Sequence, residues 1–310
     1  MNYTLHQLKI FVSVCDNKSI TKASEALHLT QPAVSIQLKK LQDQFELPLT
    51  EVIGRQLYVT DFGNEIAKRS KKILEEADAI KYTIDQYKGL LTGKINISVV
   101  STAKYAIPYF LKQFMDIHPR INISIDVSNK EKVVERLTKN ETDFAMVSVL
   151  PEGINMNTIE LMENRLYLVG NEEQLTHVHE LKDIEKLTLL FREKGSATRQ
   201  AMECFLEDNK IDAKKNMELV SNEAIKQAIF AGIGASIVPL IGLRRALDNE
   251  NIQIKPMQGL PIITNWYLVY LANKKLSPAQ LAFEKYIQEN KEQIVKEHFS
   301  WSLSSLDDAK

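Results

Sequence analysis

Residues 19–45 read SITKASEALHLTQPAVSIQLKKLQDQF, and this stretch decides the fold. Ile20, Ala23, Ala26 and Leu27 fall at i, i+3, i+6 and i+7, the apolar stripe of a short helix. A break follows at His28-Leu29-Thr30. Thr30 is a natural N-cap for a second helix, with Pro32 tolerated in its opening turn. That helix buries Val34, Leu38, Leu41 and Phe45 on one side. The opposite side shows Pro32, Ile36, Lys39 and Asp43, flanked by Ser35 and Lys40. Gln31, Gln37 and Ser35 suit base edges, Lys39 and Lys40 suit phosphates, and Ile36 suits a thymine methyl. Two short helices with a tight turn make a DNA-reading unit or an ordinary helical hairpin; the pattern alone leaves both open.

The flanking sequence favours DNA. Thr4 and Gln7 have capping-box spacing, and Leu5, Leu8, Phe11, Val12 and Cys15 give a backing helix. Beyond Phe45, a Gly54-Arg55-Gln56 turn and the run Leu57-Tyr58-Val59 predict a small hairpin wing, with Arg55 near its tip to meet a phosphate. From Thr60 to Leu91, Ile66, Ser70, Ile73, Ala77, Ile80, Ile84, Tyr87 and Leu91 alternate by four and three. That heptad seam predicts pairing of two chains, which would set two reading helices at a fixed spacing. Gly89 and Thr92-Gly93 read as a hinge.

The remaining chain alternates strands and helices, with strands expected at 95–100, 121–127, 144–149, 165–170, 187–191, 217–220, 235–238, 252–256 and 266–271. Helices are expected at 105–118, 130–140, 196–208 and from Pro278 onward. The first three strands have βαβαβ order, which implies a parallel sheet with its ligand edge at the strand C-termini. The tail after Trp301 reads as unstructured.

Composition sets limits. The chain has 310 residues, 44% of them hydrophobic, and a net charge of −1, enough for several cores but without a global basic field. Within residues 1–60, six cations face five carboxylates, a balance of +1. DNA affinity would thus rest on placed charges and dimerisation. The N-terminal stretch lacks a signal-peptide pattern and no run approaches the ~18 apolar residues of a membrane span, so a cytoplasmic protein without a membrane partner is expected. Cys15 and Cys204 fall in different expected domains, at helical apolar positions, and read as inert thiols. His177-x-His179 lies in a polar loop, so no metal is expected; Gly232-x-Gly234 is not a dinucleotide fingerprint, and no cofactor is expected. No catalytic constellation stands out at a strand end, which argues against an enzyme.

The segments LHQLKIFVSV, SITKASEALHLTQPAVSIQLKKLQ and GRQLYVTDFG, followed by REKGSATR (192–199) and AGIGASIVP (231–239), resemble the LysR-type transcriptional regulators over nearly the whole chain. More loosely, the segment from His118 to Gly153 resembles regulators of the carbon-fixation operon. The resemblance implies an α/β chain: a winged helix-turn-helix (1–60), a linker and dimerisation helix (61–92), and two effector lobes like type 2 periplasmic binding proteins (93–164 with 267–300, and 165–266). It implies a homotetramer on double-stranded promoter DNA, responding to a small-molecule effector. Ser19, Thr21, Ala23, Thr30, Gln31, Pro32, Ser35, Ile36, Gln37, Lys39, Lys40 and Arg55 are the expected DNA-binding residues. The family often has Arg where Ile36 stands, and Leu-Phe-Glu-Arg where this chain has Leu49-Thr50-Glu51-Val52. The other reading is a solute-binding, receptor-like module without DNA-binding activity.

Ser101 and Thr102, Ser128 and Asn129, and Ser148 each follow a strand of the first lobe. Ser196, Thr198 and Arg199 open a helix of the second, an anion-friendly arrangement with a cation alongside. These are the expected effector-binding residues, for a carboxylate or phosphorylated metabolite. Helix capping alone would also explain such hydroxyls.

Overall fold

The computed structural model describes residues 2–54, 56–87, 91–247 and 252–303. The chain divides into two compact units, Met1–Leu90 and Leu91–Lys310.

In the first unit, α1 (Leu5–Asn17) opens on the expected capping box between Thr4 and Gln7. Helix α2 (Ile20–Leu27) starts on Ser19, whose hydroxyl accepts from the Lys22 N–H, and ends on His28 in the left-handed region. Helix α3 (Gln31–Gln42) is capped by Thr30 and carries Pro32 in its first turn. Strands β1 (Thr50–Ile53) and β2 (Gln56–Val59) pair as the antiparallel wing. Leu8, Ile10, Phe11, Val14, Ala23, Val34, Leu38 and Leu41 fill one core under all three helices. Helix α4 (Asp61–Tyr87) leaves the wing through Gly63, where a Cβ would stand 2.0 Å from the Leu49 carbonyl oxygen. Only glycine permits that approach. The early part of α4 joins the same core through Ala67, with Phe62, Ile66 and Leu74 packed alongside, and Lys71 pairs with Asp16 at 2.8 Å. Beyond that, the seam is uncovered: Ile73 is 40% and Ile80 67% exposed. The side chains of Ile84 and Tyr87, and all of Gly89, lie outside the described residues.

The second unit begins with β3 (Gly93–Val100), α5 (Ile107–Ile117), β4 (Ile121–Ser128), α6 (Lys130–Thr138) and β5 (Phe144–Val147). Strand β3 pairs in parallel with both β4 and β5, as the βαβαβ order requires. Gly93, expected in a hinge, instead begins β3 opposite Ile121 and packs close to Ala279. Then follow β6 (Met156–Gly170), α7 (Glu172–Leu175), β7 (Thr188–Arg192), α8 (Ala197–Asp208), β8 (Lys215–Leu219) and α9 (Asn222–Phe230). The chain continues as β9 (Ser236–Pro239), α10 (Arg244–Leu247), β10 (Gln253–Lys255), β11 (Ile262–Leu271) and α11 (Pro278–Leu303). Helix α11 runs through Trp301, past the expected start of the tail; residues 304–310 lie outside the described residues.

A seven-stranded sheet runs β10-β6-β11-β5-β3-β4, with β9 also on β6, while β7 and β8 form a separate parallel pair. Strands β6 and β11 pair along their lengths with a register shift at Trp266/Tyr267. Both pass from the first lobe into the second. The first core gathers Ile95, Ile97, Val99, Phe110, Phe114, Phe144, Trp266 and Phe283. Its aromatic rings meet edge-on, Phe144 with Phe283 at 5.3 Å and Phe114 with Phe283 at 5.1 Å. The second lobe packs Leu168, Leu189, Phe191, Met202, Phe205 and Ile237 on one side of its strands and Val169, Leu190, Ile225, Ile229 and Val238 on the other. Among the described residues no helix is long and apolar enough to cross a membrane.

Candidate functional site

Helix α3 is pinned from behind by Val34, Leu38 and Leu41, so its other side has one direction to face. Gln31, Pro32, Ser35, Ile36, Lys39 and Lys40 are all exposed, Ile36 at 54%. Among the described residues no carboxylate forms an ion pair with Lys39 or Lys40, which leaves both charges available to phosphates. Gln37 is half-buried, and its Oε1 accepts from Gln7 Nε2 at 3.3 Å. That bond orients the amide and leaves its N–H groups to donate. The wing is tied to the same helix, since Gln42 Oε1 accepts from the Thr50 N–H at 3.2 Å and its hydroxyl at 3.0 Å.

Three expected readers need separate comment. Ala23 is fully buried in the core; it seats α2 and cannot touch a partner. Ser19 and Thr30 each spend a side-chain acceptor on a helix N-terminus. Thr21 is exposed, and Arg55 lies outside the described residues.

The second unit places a cleft where its two lobes face each other. At its closed end, β7 delivers Arg192, whose side chain retains 1% of its surface. The guanidinium donates to Glu193 from Nε at 2.8 Å and from Nη2 at 2.9 Å, to Asn222 Oδ1 from Nη1 at 2.6 Å, and across the cleft to Ser101 Oγ at 3.0 Å. A buried arginine needs this many acceptors, because an unpaired charge there would be prohibitive. A second clasp is formed by the Tyr105 hydroxyl, which donates to Glu223, with Lys104 3.8 Å and Lys226 2.8 Å from the same carboxylate. Both ammonium groups also lie over the Tyr105 ring, at 5.0 and 5.6 Å. Burial, then the Glu223 hydrogen bond, pushes the Tyr105 phenol well above its usual range. For Glu223 burial acts upward, but hydrogen bonds from Lys226 and Tyr105 and the nearby ammonium charges hold the carboxyl below its ordinary value.

The expected effector residues do not converge on one hollow. Thr102, 5% exposed, lines a small cavity of about 10 Å³ with Tyr105, Asn222, Lys226 and Pro239. Ser101 does not line it, and its Oγ accepts from Arg192 Nη2 at 3.0 Å. Ser196 and Arg199 line a different, open hollow of about 780 Å³, shared with Lys130, Glu131 and Gln200. Lys130 Nζ bonds Gln200 Oε1 there at 3.2 Å. Ser196 stands at the N-cap position of α8 but makes no side-chain cap bond. Arg199, expected as the cation beside the anion, is already committed: its Nε donates to Glu203 at 2.7 Å, and its Nη1 donates to Glu218 and to the Arg192 carbonyl. Asn129 caps α6 by accepting from the Lys132 N–H at 3.0 Å. Ser148 and Thr198 are buried and Ser128 is half-buried, each outside both hollows. The sequence reading passed over Arg192, Asn222, Tyr105, Glu223 and Lys226. Its one available signal was an arginine closing the apolar strand Leu189-Leu190-Phe191, a poor place for a charge without a task.

Residues 5–64 match the family described as bacterial regulatory helix-turn-helix protein, lysR family, and residues 88–292 match the LysR substrate binding domain. The HTH-type transcriptional activator CmpR of Synechocystis is 34% identical over 92% of this chain and 95% of its own length. The RuBisCO operon transcriptional regulator of Allochromatium vinosum is 33% identical over 93% of this chain and 96% of its own. Among solved structures, the regulatory domain of Synechocystis CcmR in complex with 2-PG is 32% identical, with a TM-score of 0.61 over 64% of this chain and 98% of that one. Full-length CbnR complexed with its target DNA is 20% identical, with a TM-score of 0.69 over 92% of this chain and 99% of that one, a likeness of fold.

Proposed function

The chain belongs to the LysR family of transcriptional regulators, with a DNA-binding helix-turn-helix unit and an effector domain, and from that membership we propose how its parts act. Helix α3 reads a major groove through Gln31, Ser35, Ile36 and Gln37, while Lys39, Lys40 and Arg55 meet phosphates. Two chains pair along the uncovered seam of α4 and set two such helices on successive half-sites. Pairs assemble further into a tetramer. The protein works in the cytoplasm, as a regulator and not as an enzyme. Its targets are genes of carbon assimilation, the role named for the RuBisCO operon regulator it resembles.

The effector is a small anion, a carboxylate or phosphorylated metabolite, held between the lobes. Cations at Lys104, Arg192 and Lys226 support this choice, as does the 2-PG in the regulatory domain of CcmR. Binding changes the angle between the lobes and thereby the spacing of the paired reading heads, so that the bend imposed on DNA changes.

One observation carries the DNA assignment: a helix backed by core on one side presents polar and cationic side chains on the other. Gel shifts on the upstream region of its own gene, at graded salt, test it. Each of Lys39→Ala and Lys40→Ala is expected to lower the slope of log affinity against log salt by about one. A double variant with unchanged affinity and slope refutes the assignment.

A further inference from the structure

We propose that the anionic group of the effector is received at the N-terminus of α9, by Asn222, Arg192 and Lys226 with Thr102 from the facing lobe, and not at the start of α8. The proposal rests on the cleft reading above and names the atoms within it.

Asn222 supplies the decisive observation. It keeps 7% of its surface, and its Oδ1 accepts from Arg192 Nη1 at 2.6 Å. That bond fixes which way the amide faces. Its Nδ2 is left buried without an acceptor. A buried donor with no partner is costly, and functional sites are where such a cost is retained. Asn222 borders the cavity shared with Thr102 and Lys226. It is also the first residue of a nine-residue helix, whose N-terminus carries positive partial charge. The buried guanidinium of Arg192 stands beside it.

The start of α8 offers less. Arg199 is held by two carboxylates and a carbonyl, so its charge is already compensated. At α9 the cations are also paired, Arg192 by both oxygens of the adjacent Glu193, but some of their partners lie across the cleft. Lys226 and Lys104 meet Glu223, which also accepts from Tyr105, and Arg192 bonds Ser101 on the facing lobe. A cavity of about 10 Å³ holds no more than a water, so a phosphate or carboxylate enters only when the lobes part. Parting them breaks the contacts of Arg192 with Ser101 and of Tyr105 with Glu223. An entering anion then accepts from Asn222 Nδ2, from the Nη2 N–H of Arg192 that Ser101 gives up, and from Lys226 Nζ. With the lobes together, Glu223 stands in for the effector's charge.

The test is calorimetric titration of the full-length chain with 2-PG and with inorganic phosphate. Asn222→Asp keeps an acceptor for Arg192 and so preserves the local fold, checked by circular dichroism, but turns the free donor into a carboxylate. It is expected to weaken binding about 100-fold, and Asn222→Ala about 10-fold. Lys226→Gln, within α9 and partly exposed, is expected to lose about 10-fold. A Ser196→Ala/Thr198→Ala double variant is expected to stay within about threefold of the parent. If Asn222→Asp and Asn222→Ala bind as the parent does while the double variant weakens, the receptor lies at α8; the proposal falls and the anionic-effector reading stands. If the parent binds neither anion yet still shifts its promoter, both fall together.

Discussion

Replacing Ile80 by Glu tests the pairing of two chains along α4. Ile80 is 67% exposed and Ile73, one heptad earlier, 40%. Burying an isoleucine side chain fully contributes about 1.5–3 kcal/mol. Scaled by the exposed fraction and counted once per chain in a symmetric pair, Ile80 contributes about 2–4 kcal/mol to association. At 1.4 kcal/mol per decade its loss raises the dimer dissociation constant about 30- to 700-fold. The new carboxylate would face its own copy across the seam, which adds to the loss. Sedimentation equilibrium on the full-length chain reads the effect directly. Lys72→Glu serves as control, because Lys72 is exposed and lies off the seam. Half-site DNA binding should survive in Ile80→Glu, whereas affinity for a paired site collapses. A dissociation constant within threefold of the parent would show that the seam does not pair chains, and the reasoning from its exposure would be wrong.

Three further predictions follow from particular contacts. Gly63→Ala places a methyl 2.0 Å from the Leu49 carbonyl oxygen, so the wing junction must shift at a cost of about 1–3 kcal/mol; thermal melts and gel shifts should show a weakened DNA-binding unit, with calorimetric anion binding unchanged. Glu223 titrates below its ordinary value of 4.5 in the folded protein, so its clasp stabilises the closed cleft above that pH and is lost as pH falls through the lowered value; the melting temperatures of the parent and Glu223→Gln should differ most near neutrality and converge as the pH falls through that lowered value. Burial, with Asp16 beside it, pushes the Cys15 thiol up to about 12, whereas Cys204 is exposed on α8; Ellman's reagent at pH 8 should therefore titrate one thiol per chain quickly and the second only after unfolding, and two fast thiols would contradict the packing of Cys15.

The first 60 residues were legible because each helix there has one apolar stripe and a side-chain cap. Thr4 and Thr30 mark two starts, and both act as caps in the structure, as does Ser19, which the sequence suggested only as a DNA contact. Ala23 was misread, since position within a DNA-reading unit says nothing about which face a small residue occupies; its neighbours in space, not in sequence, bury it. Strand β6 was seen only from Arg165. Its earlier half carries Glu160, Glu163 and Asn164 and lacks the continuous apolar run of its end. The helix expected at 105–118 is a short 3-10 turn over Ala103–Tyr105 followed by α5, an interruption that Pro108 in the first turn of α5 accommodates. Cys204 occupies a helix face that the α8 stripe suggested was inward, yet it is exposed. The receptor end of the cleft was out of reach for a different reason. Arg192 meets Ser101 and Asn222 across 91 and 30 residues of chain, and no local pattern encodes such contacts.

Strands β6 and β11 deserve a mechanical reading. They are hydrogen-bonded to each other from Met156–Leu271 at one end to Leu166–Ile262 at the other, through the bulge at Trp266/Tyr267. The two halves of the effector domain are thus joined by an unbroken ribbon, not by slack loops. A ribbon twists readily and stretches hardly at all, so its travel is angular and bounded. A molecule seated between the halves would therefore act on them through their relative pitch, as on a torsion spring.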